Sequence, residues 1–143
     1  MTPSQSKALA TQSTALVAYE PKSQAPYRLN TLTPRNMAFE LQKALNKITQ
    51  KHGNLDEYVR QHLQYADKQS LWKALGAEQV DSVAMYLHQF EQNAGIIIAD
   101  QTGIGKGRQA AAVIRHAVLM AISLSSLHAS PTCLLYTSDA ADD

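Results

Sequence analysis

The stretch GIIIADQTGIGKG, residues Gly95–Gly107, decides how the rest of the chain is interpreted. Its first part, Gly95–Ala99, is a short, mostly β-branched apolar run, which predicts a strand buried on both faces of a sheet. A glycine-punctuated turn, Asp100–Gly105, comes next. Lys106 then begins an alanine-rich segment that extends to Ile122 and favours a helix. Strand, glycine-rich turn, lysine and helix is the order found in phosphate-binding loops.

The glycines and the lysine of this stretch have a physical reason to lie together. Glycines let backbone N–H groups turn inward around a phosphate, and a helix N-terminus adds further donors and a partial positive charge. The pattern G-x-x-x-x-G-K-[ST] is matched imperfectly, because Asp100 replaces its first glycine and Gly107 its Ser/Thr. A helicase-style form, A-x-x-x-G-x-G-K-T, lacks only its final threonine. The matching positions are Ala99, Gly103, Gly105 and Lys106.

Composition places the chain among small globular proteins. It has 143 residues, of which 45% are apolar, and its formal net charge of +1 gives no strong indication of a polyanionic partner. Cys133 is the only cysteine, which excludes an internal disulfide. The sequence shows no signal peptide and no apolar run of about 18 residues. We therefore expect a cytoplasmic protein that does not span a membrane.

Four regions are predicted. Residues 1–30 form a disordered or extended lead-in, rich in Ser, Thr, Gln and Ala. Residues 31–93 form a helical subdomain, and residues 94–132 form the start of an ATP-binding domain. Residues 133–143, CLLYTSDAADD, resemble the translation of a sequencing adaptor and are expected to be a non-native tail.

Within the helical subdomain, local signals predict where helices begin and end. Thr33 is predicted as an N-cap with Pro34 at the first helical position, and Gly53 as the end of that helix. Asn54 is predicted to cap a second helix. A third helix is expected over Gln69–Leu75 and a fourth over Ala77–Gln92. The predicted core positions of the first and fourth helices are Met37, Leu41, Ala44, Leu45, Ile48, Val80, Val83, Ala84, Leu87 and Phe90.

Few other residues suggest chemistry. Arg108 could face a phosphate or a substrate strand, or be solvated, and Arg115 lies further along the same helix. The five histidines lack spacings such as H-x-x-x-H, so we predict surface or loop positions for all of them: His52, His62, His88, His116 and His128. No metal site is expected from these residues.

A family resemblance covers Thr31–Ile122. Three segments carry it: TLTPRNMA at Thr31–Ala38, LGAEQVD at Leu75–Asp81, and IIADQTGIGKGR at Ile97–Arg108. Together they resemble the strawberry notch family of superfamily-two helicase-like ATPases, in particular its bacterial and phage branch. The ending GKGR is characteristic of that family, so Gly107 in place of threonine agrees with the resemblance.

The resemblance implies a nucleic-acid-dependent ATPase with RecA-like lobes. The implied fold class is α/β: an N-terminal helical subdomain, then the truncated strand, P-loop and helix of a P-loop NTPase domain. The partners would be ATP and nucleic acid, DNA in preference to RNA, with Gln79 against adenine. The predicted nucleotide-binding residues are Gln79, Thr102, Gly103, Ile104, Gly105, Lys106, Gly107 and Arg108.

The resemblance also implies what this stretch of chain lacks. Mg²⁺ is expected with the nucleotide, but no acidic motif follows the loop to hold it. Thr102 offers an oxygen; otherwise waters or the nucleotide itself must supply the ligands. We therefore expect the chain to bind ATP without hydrolysing it, and we assign no catalytic residue. Two alternatives stay open: another kind of P-loop NTPase, and a helical interaction module whose glycine-rich turn is structural.

Overall fold

The computed structural model describes residues 15–98 and 105–128. This part of the chain is a mostly helical small domain with five helices and a two-stranded antiparallel hairpin. The strands are β1 (Leu16–Ala18) and β2 (Leu32–Pro34), paired in the register Leu16 with Pro34 and Val17 with Thr33. The helices are α1 (Arg35–His52), α2 (Leu55–His62), α3 (Lys68–Ala74), α4 (Ala77–Glu91) and α5 (Lys106–His128).

The local end signals act largely as predicted. Gly53 ends α1 with a φ of 79°, and its N–H donates to the carbonyl of Thr49. The side chain of Asn54 accepts from the N–H of Glu57 at 2.9 Å. The start of α1 differs, because pairing of β2 with β1 keeps Thr33 extended. Pro34 is consequently the N-cap, and the helix begins at Arg35.

Helix α4 is the centre of the hydrophobic core, and it packs against α1, α2 and α5. Its apolar residues meet the buried faces of α1 and α2, where the apolar periodicity predicted them. The largest of these buried side chains are Leu45, Ile48, Val59, Leu63, Val80, Val83 and Leu87. Met37 and Phe90 were also predicted in the core, but 51% and 44% of their surfaces are exposed. Both lie near helix ends, Met37 in the first turn of α1 and Phe90 in the last turn of α4.

The segment between the strands is held to the helices by three buried carboxylates. Glu78 accepts the N–H groups of Leu29 and Asn30 at 2.9–3.0 Å. Asp81 accepts the N–H of Ser23 at 2.9 Å, and Asp56 accepts the hydroxyl of that same serine. These carboxylates satisfy backbone donors that no sheet or helix would otherwise pair. Residues 15–34, here named the N-terminal strap, therefore lie extended across α2 and α4.

The structure does not show the predicted strand in Gly95–Ile98, which is the part of Gly95–Ala99 that it describes. Gly95–Ile98 has no regular secondary structure, and Ile97 is 90% exposed. A strand needs a neighbour to pair its backbone groups, and no segment within residues 15–98 or 105–128 pairs with this one. The described part accordingly contains no parallel sheet and no P-loop fold. The other predicted strand and loop positions, Ala99–Ile104, lie outside the described residues.

Helix α5 continues beyond its predicted end at Ile122, and residues 123–128, predicted as a loop, are helical. Serine hydroxyls in this last stretch donate to carbonyls three residues back, so the serines are accommodated within the helix. The first half of α5 packs through Ala112 and His116, whereas the second half exposes Ile122, Leu124 and Leu127.

By length and composition, Lys106–Leu127 could cross a membrane, with a mean hydropathy of 1.6. The helix contains Lys106, Arg108 and Arg115, so it is not an uninterrupted apolar run. Arg115, near the middle of this helix, donates to the carbonyl of Leu63 and stacks on Tyr65, so α5 is attached to the domain there.

Candidate nucleotide-binding site

The described part of the predicted site is the N-terminus of α5. Gly105 precedes the helix with a φ of 74°, a left-handed conformation that favours glycine, and Lys106 is the first helical residue. Lys106, Gly107 and Arg108 are exposed, and the first turn carries no acidic residue. Thr102, Gly103 and Ile104 lie outside the described residues.

Gln79 connects this helix start with α4. Its side chain is 2% exposed, so it is not a solvated helical glutamine. Its Oε1 accepts the N–H of Gly76 at 2.9 Å, as in a capping box, and its Nε2 donates to the carbonyl of Gly105 at 3.1 Å. The amide therefore fixes the start of α4 and the residue that precedes α5 relative to each other.

This contact leaves no room for a side chain at Gly105. A Cβ there would lie 2.6 Å from Nε2 of Gln79, far inside van der Waals contact. The carbonyl of Gly105 also accepts the N–H of Arg108 at 2.9 Å. By contrast, a Cβ at Gly107 would meet nothing within 4 Å. Space and backbone conformation thus require glycine at position 105, whereas position 107 faces an open surface.

The two arginines of α5 differ in role. The guanidinium of Arg108 is exposed at the same end as Lys106, with a long contact of 3.5 Å to the carbonyl of Ala74. Arg115 instead donates to the carbonyls of Leu63 and Gln64, at 2.6 and 3.3 Å. These bonds hold the turn that follows α2. Arg108 alone of the two is placed near the predicted loop.

The electrostatics at the start of α5 favour an anion. The partial positive charge of a helix N-terminus and the charge of Lys106 act in the same place, and they repel each other unless a negative group lies between them. The first turn of α5 itself carries no carboxylate. The arrangement suits a phosphate, and the residues from Gly105 to Gln109 offer no side-chain hydroxyl or carboxylate for Mg²⁺.

The prediction that the histidines occupy surface or loop positions is wrong for His116, which is buried, whereas His52, His62 and His88 are partly exposed on helices. His52, at the end of α1, stacks on Tyr58 with 4.1 Å between ring centroids. His88 meets His52 edge-on at 6.1 Å, and His62 lies against Tyr58 at 4.5 Å. His116 is 3% exposed, and its Nδ1 lies 3.1 Å from the hydroxyl of Tyr86. The side chain of His128 lies outside the described residues.

Glu91 is the acidic member of this cluster. Its Oε1 accepts the hydroxyl of Tyr58 at 2.8 Å, and its Oε2 lies 3.1 Å from Nζ of Lys51 and 3.4 Å from Nε2 of His52. Partial burial raises the pKa of Glu91, but these hydrogen bonds outweigh it and hold the pKa below its usual value. Burial lowers the pKa of His52 and of His116, which favours neutral rings.

One part of this cluster was visible in the sequence. His88 and Glu91 are three residues apart on a predicted helix, which puts them on one face. Their partners come from the ends of α1 and α2, and only tertiary packing brings those ends to α4. No local spacing could reveal the full set.

Comparisons of the chain with protein-family models, with curated proteins and with solved structures found no match.

Proposed function

We propose that this chain carries the nucleotide-binding loop of a nucleic-acid-dependent ATPase, and that the start of α5 binds the phosphates of ATP. The supporting observation is the hydrogen bond between Gln79 and Gly105. These residues belong to two of the three segments that resemble strawberry notch proteins, and they are 26 positions apart in the sequence. The two segments must lie close together if both are to contact the same nucleotide.

The local chemistry fits a phosphate. The positive φ of Gly105 turns the chain into α5, and Lys106 and Arg108 supply positive charge at the exposed helix start. The open space over Gly107 leaves room for a phosphate oxygen to approach the backbone. In this proposal Thr102, Gly103 and Ile104 complete the loop, and Mg²⁺ takes its ligands from phosphate oxygens and water.

Exposed apolar surfaces support the finer fold proposal, a RecA-like α/β domain that begins at residue 94. An apolar groove of about 600 Å³ lies between the hairpin, α1 and α4, lined by residues that include Leu32, Met37, Met85 and Ile97. The second half of α5 is also apolar and exposed. A sheet that contained Gly95–Ala99 and packed on α5 would bury the strand and this helix face.

We propose nucleic acid as a partner on the resemblance alone, with DNA preferred to RNA. We also propose a cytoplasmic location. The described residues contain no acidic pair placed to hold Mg²⁺ and position a water at the start of α5. We therefore propose that the chain binds ATP and does not hydrolyse it alone.

The test is a calorimetric titration of the chain with ATP in the presence of Mg²⁺. Lys106→Ala should weaken binding roughly 10- to 100-fold, because a charge-assisted hydrogen bond contributes about 1.5–3 kcal/mol. Lys47→Ala, which removes an exposed lysine of α1, is the matched control and should bind as the unmodified chain does. Equal affinity in the Lys106 and Lys47 variants would contradict the proposal.

A second function is favoured by one observation. The amide of Gln79 is engaged with backbone groups of Gly76 and Gly105, which is what a structural glycine turn in an interaction module requires. The same titration separates the two proposals, because an interaction module gives no ATP signal that depends on Lys106.

A further inference from the structure

Two buried ring nitrogens in the histidine cluster make no hydrogen bond within the described structure. They are Nε2 of His52, whose polar neighbour is Oε2 of Glu91 at 3.4 Å, and Nδ1 of His88. A buried polar atom that makes no hydrogen bond costs about 1–3 kcal/mol, so Nδ1 of His88 would be an unusual feature of a purely structural cluster. The other ring nitrogen of His88 lies 2.8 Å from the amide of Gln92, which leaves Nδ1 for a different partner.

The geometry of these nitrogens and Glu91 suits a metal ion. Each of the three side chains offers a ligand atom, and these atoms all lie within 4.8 Å of one another. Nε2 of His52 is 3.4 Å from Oε2 of Glu91. Two ligands at tetrahedral positions on zinc, each about 2.0–2.1 Å from the metal, are separated by roughly that distance. The ligand atom of His88 lies within 4.8 Å of the other two and must approach them to complete the set.

The surroundings hold the ligands in place. The hydroxyl of Tyr58 donates to Oε1 of Glu91, so the other carboxylate oxygen is directed towards His52. The ring of Tyr58 also stacks on His52 and restrains its orientation. Such contacts around metal ligands fix their geometry and raise affinity. Lys51 now contacts Oε2 of Glu91 at 3.1 Å, but its side chain is 54% exposed and flexible, so a divalent cation could displace it.

We infer that His52, His88 and Glu91 bind a zinc-type transition-metal ion. Two imidazoles and one carboxylate select zinc, cobalt or nickel over magnesium and calcium, which prefer all-oxygen ligands. The ion would join the end of α1 to the last turn of α4, with water at the fourth position. The site is separate from the proposed nucleotide site, and the inference does not depend on ATP binding.

The test uses the untagged full chain, stripped of metal with a chelator and exchanged into buffer without nucleotide. Titration with zinc chloride should show one ion bound per chain, and the melting temperature should rise with zinc but not with magnesium. His52→Gln and His88→Gln should each weaken zinc binding by more than about tenfold. His116→Gln, which alters a buried histidine outside the proposed ligand set, should bind zinc normally.

Cobalt provides a measurement on the unmodified chain, which is needed because a histidine variant could fail to fold. Bound Co²⁺ with two imidazoles and a carboxylate should give the visible absorption bands of a four-coordinate ion, and zinc should abolish them. Absence of these bands, together with no heat from zinc at 100 µM or below, would overturn the inference. Zinc binding that is equal in the His52, His88 and His116 variants would overturn it as well.

Discussion

The side-chain amide of Gln79 donates a hydrogen bond to the carbonyl of Gly105 across 3.1 Å, and this contact joins the beginnings of α4 and α5. A side chain at position 105 would collide with that amide, since its Cβ would lie 2.6 Å from Nε2. The proposed nucleotide site therefore depends on a glycine for both its conformation and its space.

Gly105→Ala should destabilise the chain by about 1–3 kcal/mol, because alanine disfavours a positive φ and the new methyl group displaces Gln79. Urea unfolding followed by circular dichroism measures this change. Gly107→Ala is the matched comparison, since alanine there meets open space in a helical turn. It should stabilise the chain by up to about 1 kcal/mol and yet weaken ATP binding, if a phosphate occupies that space. Equal stability in the two variants would contradict this account.

Gln79→Ala distinguishes a positioning role for this glutamine from recognition of adenine. If the amide mainly orders Gly105, loss of the amide should lower the affinities for ATP and GTP by similar factors. If it contacts the adenine edge, only ATP binding should fall, because guanine presents a different pattern of donors and acceptors. Competition between the two nucleotides, measured by calorimetry, gives both affinities. We expect similar factors, since the amide is 2% exposed and engaged with backbone.

Release of phosphate from ATP should be undetectable with the chain alone, with or without added DNA. The described residues near the start of α5 supply no acidic group for Mg²⁺ or for the attacking water. A colorimetric phosphate assay checks this expectation, with a boiled sample as the blank. Turnover that disappears in Lys106→Ala would show that the chain contains a complete hydrolytic site.

Asp81 should make stability depend on pH. Burial, together with the nearby charge of Asp56, raises the pKa of Asp81 to about 6, although hydrogen bonds from Tyr19, Lys22 and Ser23 act in the opposite direction. A raised pKa means that the folded chain binds the proton more tightly than the unfolded chain. Protonation of Asp81 therefore stabilises the folded chain. This contribution is complete below the unfolded pKa of about 3.8 and is lost as the pH rises through 6.

Comparison with Asp81→Asn isolates this contribution. Other carboxylates contribute with the opposite sign, such as Asp67, whose pKa is lowered by its bonds to Ser70. They cancel in the difference between the two proteins. Between pH 4 and pH 7, the unmodified chain should lose up to about 3 kcal/mol of stability relative to the variant. A difference that stays constant over this range would show that Asp81 does not titrate there.

The features that sequence reasoning predicted correctly are local ones. Gly53 and Asn54 act within one or two turns of the chain, so their effects on helix ends can be deduced from neighbouring residues. The buried positions of α4 follow from helical periodicity in the same way. In each case the physical cause lies within a few positions of its effect.

The features that were missed depend on distant partners. A strand at Gly95–Ile98 requires a neighbouring strand, and the described residues provide none. The contacts of His52 with His88 and Glu91 arise only when α1 and α4 pack together. Gln79 was singled out by a family resemblance, but its bond to Gly105 could not be read from either segment alone.

The carboxylates beneath the N-terminal strap set a practical limit on how the molecule can be shortened. A version that began at Thr31 would keep Asp56, Glu78 and Asp81. It would lose the N–H and hydroxyl groups whose hydrogen bonds offset the cost of burying these carboxylates. We expect such a truncated chain to be less stable, because its buried carboxylates would lose the hydrogen-bond donors of the strap and would repel one another. A cut at residue 30 would therefore separate Ser23, Leu29 and Asn30 from the carboxylates that accept their N–H groups.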